Sequence, residues 1–226
     1  MRNLTPFLIA CLVAAPAFTD ATPHATKLRD AQQVLHALMD APDKGIPKDL
    51  LERAACIGVF PGVTKGAVVM GGEFGHGVFT CRQESGAMGP PAFFTLGGPS
   101  VGWQFGVEQV DLVLLVMNKE GVQRLLESKF TIGGEASAAA GPVGRTATAA
   151  TDAQMHAEIL SWSRTRGLFV GASLAGKVIK PDPEANQALY GEPISARKIL
   201  LEGKAPTTKE ARSFMQTTNE YARRPS

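Results

Sequence analysis

Past its first residues this chain has no long apolar run, and nothing later approaches the roughly 20 residues that a spanning helix needs. Charge is also scarce. Only 19% of residues are Asp, Glu, Lys or Arg, the formal net charge is +2, and no basic stripe is present, which excludes a nucleic-acid partner. Low charge combined with 44% hydrophobic residues excludes a disordered chain. The four histidines, His24, His36, His76 and His156, are scattered and none has metal-ligand spacing with Cys, Asp or Glu. No metal and no cofactor is therefore expected. Internal repeats and low-complexity linkers are lacking too.

Glycine is what the chain has in quantity, with 24 residues among short apolar runs. That combination favours a β-rich fold with tight turns, and 226 residues suit a single domain. The densest small-residue stretch is Phe130 to Arg145, F-T-I-G-G-E-A-S-A-A-A-G-P-V-G-R. Such side chains let backbones approach closely or leave room for a ligand. Arg145 ends the run, and its guanidinium is a candidate for holding an anionic headgroup.

Residues 1–21 read as a secretory signal peptide. Arg2 gives a positive start, Leu4 to Val13 is mostly apolar, and Thr19-Asp20-Ala21 offers a small-residue cleavage site. Cleavage there leaves residues 22–226 as one exported domain, periplasmic or associated with the outer membrane. Leu8-Ile9-Ala10-Cys11 also resembles a bacterial lipobox, whose cysteine would be acylated. Pro6 and the short apolar run before Cys11 argue against that reading. Cys56 and Cys81 remain as one pair in an oxidising compartment, and a disulfide is expected; two buried thiols are the alternative.

Apolar spacing predicts an amphipathic helix over residues 26–40 and a short one from Pro47 to about Ala55. Strands follow: Ile57 to Phe60, ending at Pro61-Gly62; Ala67 to Met70; Val78 to Arg82; Ala92 to Leu96; and the alternating segment Val101 to Val107. Gly71 to Gly77 is read as a tight turn. Asp111 to Met117 suits a buried strand, and Asn118 can cap a helix to about Ser128. Ala157 to Trp162 and Gly167 to Leu174 read as strands. Helices are expected near 184–190, 195–202 and 208–222, the last opened by Thr207 and Glu210 as a capping box. The class is α+β: a curved or barrel-like, mostly antiparallel, Gly-rich sheet flanked by N- and C-terminal helices.

Catalytic patterns are incomplete. Gly171 to Lys177 matches the start of a phosphate loop, but Val178 replaces the required hydroxyl residue, and Pro181 and Pro183 forbid a long helix. Ser137 and Ser173 lie in no nucleophile elbow. Glu73, Glu108, Asp111 and Glu135 cannot be paired by spacing alone. The first helix places Lys27 and Arg29 beside an apolar face, as membrane-surface helices require. Packing of that face on the sheet is the competing reading.

Several motifs then occur in order. Ile46-Pro47, Leu50-Leu51, Val59-Phe60-Pro61, Gly71-Gly72, Gly75 and Gly77 open the series. Pro91-Ala92-Phe93, Asp111-Leu112-Val113, Phe130 to Gly134 and Ala140 to Arg145 continue it. Ser161-Trp162-Ser163-Arg164, Gly167-Leu168-Phe169 and Tyr190-Gly191 complete it. Together they resemble the SYLF domain family over about residues 28–203. The resemblance implies a non-catalytic lipid-binding module whose partner is an anionic phospholipid or membrane surface. Eukaryotic members bind phosphoinositides, some yeast members bind actin, and bacterial members are typically exported single domains. Actin does not fit an exported bacterial protein; an envelope protein is the alternative partner. Candidate lipid contacts are Lys27, Arg29, Arg145, Trp162 and Arg164. The chain departs from the family pattern at Met88-Gly89, in place of Trp-Ser, and at Trp162, in place of Tyr.

Overall fold

A computed structural model describes residues 22–40, 45–67, 71–100, 106–134, 136–142, 156–165 and 168–222. The proposed signal peptide, Cys11, Glu135, Arg145 and the predicted strand segments at 68–70 and 101–105 lie outside these residues.

The class is α+β, with a strongly curled, half-barrel sheet between N- and C-terminal helices. The strands are β1 (Cys56–Ala67), β2 (Gly71–Cys81), β3 (Ala92–Ser100), β4 (Gly106–Val116), β5 (Phe130–Thr131), β6 (Ala138–Ala140), β7 (Ile159–Thr165), β8 (Leu168–Gly171) and β9 (Val178–Pro181). Their order across the sheet is β5-β9-β3-β2-β1-β4-β7-β6, with β8 also on β7. Every pairing is antiparallel except β6 with β7. The outer side of β7 is shared: β6 takes Ile159 to Ser161 and β8 takes Trp162 to Thr165.

The helices are α1 (Pro23–Met39), α2 (Lys48–Arg53), α3 (Lys119–Leu125), α4 (Pro183–Tyr190), α5 (Ala196–Leu200) and α6 (Lys209–Ala222). Local chemistry sets their starts. The side chains of Thr22, Asn118, Asp182 and Ser195 each accept a backbone N–H of the first turn. For α6 the cap is Thr208, whose hydroxyl accepts Ala211 N at 3.1 Å, one residue beyond the expected Thr207.

Strand alternation gives the sheet two buried faces. Phe60, Phe79, Phe94, Leu112 and Leu114 lie on one, packed with Tyr190, Ile199 and Leu200 from the α4–α5 region. Ile57, Val59, Val78, Phe93, Val113 and Trp162 lie on the other, beneath Leu28, Leu35 and Leu38 of α1, Leu51 of α2 and Phe214 of α6. The apolar stripe of α1 is thus core.

Two sequence expectations are corrected. The segment Gly71 to Gly77 is strand, not turn. Its glycines make space: a Cβ on Gly77 would lie 2.4 Å from the Phe60 ring, and one on Gly75 would lie 2.7 Å from Val63 Cγ2. β1 does not stop at Pro61-Gly62 but passes through a bulge there and continues to Ala67. Gly62 absorbs the bulge with φ at +62°, where its missing Cβ avoids strain. The expected disulfide is present. Cys56 and Cys81 face each other across β1 and β2 and are bonded.

Candidate functional site

Lys27 and Arg164 come together around the β1 bulge. Lys27 Nζ donates to Pro61 O at 3.2 Å. Gly62 N donates to Asp111 Oδ1 at 3.0 Å, and Asp111 Oδ2 lies 3.6 Å from Arg164 Nη1. The Arg164 guanidinium also sits 5.8 Å from the centre of the Phe169 ring, a cation–π distance. Both cations are therefore held by protein groups, and both brace an irregular strand.

Trp162 is wholly buried. Its indole N–H donates to Pro142 O at 2.9 Å. The ring occupies the space where Gly141 lacks a side chain; a Cβ there would lie 2.0 Å from ring carbons. Close backbone approach thus accounts for the Gly141 end of the small-residue run.

Glu73 and His76 point to opposite faces of β2. His76 Nδ1 lies 3.3 Å from Asp182 Oδ2, and its ring meets that of Phe74, which is 55% exposed. Glu73 faces inward and pairs with Lys177; both are buried, and Lys177 also donates to Pro99 O. Lys65 stands 4.0 Å from Glu73 on its other side. The lysine that would meet a phosphate in a G-x-x-x-x-G-K loop is committed to these partners.

Arg29 faces outward. Its guanidinium donates to Thr26 Oγ1 at 3.1 Å, leaving further donors available. It lines a groove of about 600 Å³ between α1, α4 and α6. Ala25 and Leu28 of α1, with Ala188 and Leu189 of α4, give the groove an apolar floor. Lys209 and Glu210, in the first turn of α6, stand at its rim with Arg29. Gln32 Nε2 donates to Ser213 Oγ at 3.1 Å, and His36 Nδ1 lies 2.6 Å from the Tyr221 hydroxyl. Residue numbers rise together on the two helices, so α1 and α6 run in the same direction and begin at the same end. The N-terminal partial positive charge of α6 falls on its first residue, Lys209, whereas Arg29 lies in the second turn of α1. Sequence reasoning missed Lys209, Ser213, Ala188 and Leu189. The last helix was expected from its capping box, but its partner helix was not.

The family model described as Ysc84, Las17-binding protein actin regulator, matches residues 97–221. LAS seventeen-binding protein 3 of Saccharomyces cerevisiae is 33% identical over 161 residues, covering 70% of this chain and 35% of that protein. An SH3 domain-containing protein of Schizosaccharomyces pombe is 35% identical over 178 residues, covering 77% of this chain and 40% of that protein. The human SH3 domain-containing YSC84-like protein 1 is 26% identical over 183 residues, 80% of this chain and 53% of that protein. The chain therefore spans between about a third and a half of the length of these relatives, all named as binding or SH3-containing proteins rather than enzymes. Ordered motifs, the curled sheet with its flanking helices and the family match agree: this chain belongs to the Ysc84, or SYLF, family.

Proposed function

We propose that this protein is a non-catalytic, lipid- or membrane-surface-binding module that works in a bacterial cell envelope after export. One observation carries the reading: Arg29, in the second turn of α1, and Lys209, at the start of α6, stand together on the rim of an apolar-floored groove. An anionic bilayer surface attracts such cations by about 1 kcal/mol each. Family membership supports the binding role. Export rests on the signal-like residues 1–21, and mass analysis of the periplasmic fraction tests it through the mature N-terminus.

Co-flotation with vesicles tests the binding. The protein is expected to float with phosphatidylglycerol-containing vesicles and not with purely zwitterionic ones, and added salt should weaken the association. R29Q/K209Q should lose about 30-fold in affinity, from about 2 kcal/mol of lost attraction. Unchanged flotation of that variant would remove the groove rim from the account, and no flotation with any anionic composition would sink the reading.

A second reading, docking of another envelope protein, is favoured by the relatives' names, one of which records a protein partner. A pull-down with the purified domain separates the two, since vesicles would not compete with a protein ligand.

A further inference from the structure

The α1–α4–α6 groove has more shape than a surface patch requires. Its volume of about 600 Å³ falls within the range of small-molecule sites. Leu28 is fully buried at its base, and Ala25, Ala188 and Leu189 keep the floor apolar. The Gln32–Ser213 hydrogen bond lies toward one end. Toward the other stand the starts of both helices, with Arg29, Lys209 and Glu210. Arg29, Lys209 and the α-amino group that cleavage after Ala21 would leave on Thr22 outnumber the single carboxylate of Glu210, so the rim is net positive. A net positive rim above an apolar floor suits an amphiphile with an anionic head.

We infer that the groove holds one fatty-acid chain, with the hydrocarbon on the floor between α1 and α4 and the carboxylate at Arg29 and Lys209. The inference rests on the membrane-surface reading and narrows it from contact with a bilayer to uptake of a single chain. Arg29 suits the head position because its planar guanidinium can engage a carboxylate with two parallel donors. Ala188 suits the floor because any larger side chain on that exposed position would project into the chain's path.

Fluorescence titration with cis-parinaric acid, in the absence of vesicles, tests the inference. Saturable one-to-one binding is expected, reversed by palmitate. A188W should weaken it at least tenfold. S213W gives an independent block on α6 at an exposed position. R29Q should weaken the acid at least tenfold and the methyl ester little. Wild-type protein that floats but takes up no fatty acid overturns the inference and leaves the surface reading standing. Equal affinity for acid and methyl ester overturns the assigned head position. Binding unchanged in both A188W and S213W, or uptake of an acidic amphipathic peptide without fatty acid, overturns the groove as its site.

Discussion

Lys177, immediately before β9, reaches past β3 to Glu73 of β2, and the two form an ion pair inside the curled sheet. The strand between them permits the reach, because Gly98 has no side chain and a Cβ there would lie 3.3 Å from Lys177 Cδ. The pair ties the start of β9 to a strand with which β9 shares no backbone hydrogen bonds.

Breaking that pair from one side strands a buried charge. K177M should cost about 3–5 kcal/mol. The double variant E73L/K177M should recover most of the loss, because neither charge then remains. Urea denaturation of the two single variants and the double closes the cycle.

Gly141 and Trp162 are sterically coupled. G141A should destabilise the domain by about 1–3 kcal/mol, since the new methyl collides with the indole. Combining it with W162F should cost less than the sum of the single changes, because the smaller ring frees the same space. Thermal melts of the three variants measure the coupling.

The Cys56–Cys81 bond closes a loop with a sequence separation of 25. C56A/C81A should lose about 3 kcal/mol. Both cysteines are buried, so reductant alone should lower the urea midpoint of the native protein only slowly, after transient opening. Time-dependent midpoints with and without dithiothreitol check both statements.

Tyr190 supplies a pH dependence. Burial pushes its phenol well above the ordinary value of 10.0. Its hydroxyl donates to Pro91 O. The group keeps its proton more firmly when folded, so its contribution is fully present below pH 10 and falls above it, at up to about 1.4 kcal/mol per pH unit. Wild-type stability should therefore decline between pH 10 and 12. Y190F should be less stable at neutral pH by about 1 kcal/mol, yet flatter across that alkaline window. Guanidinium titrations at stepped pH give both quantities.

Where structure followed from neighbours in sequence, it was legible. Asn118 announced α3 as its cap, and the helix expected over 195–202 is found as α5. Cys56 and Cys81 were readable as a pair because no other cysteine lay beyond the signal-like residues. The segment Gly71 to Gly77 was misread because the reason for its glycines, the Phe60 ring and Val63, lies on another strand. The strand was expected to end at Pro61-Gly62 because the acceptor for Gly62 N, Asp111, lies on β4. The groove was invisible for the same reason. Arg29 could be singled out beside an apolar stripe, but Lys209 lies 180 residues away and becomes its neighbour only when α1 and α6 align.

The divided flank of β7 bears on self-association. A seven-residue strand left bare would offer another molecule a ready template for backbone pairing. Here that flank is occupied by a three-residue strand running one way and a four-residue strand running the other. Among the described residues, no incoming chain could match more than four positions there before the polarity reverses. The sheet thus ends on that side, among the described residues, in segments too short to seed edge-to-edge growth.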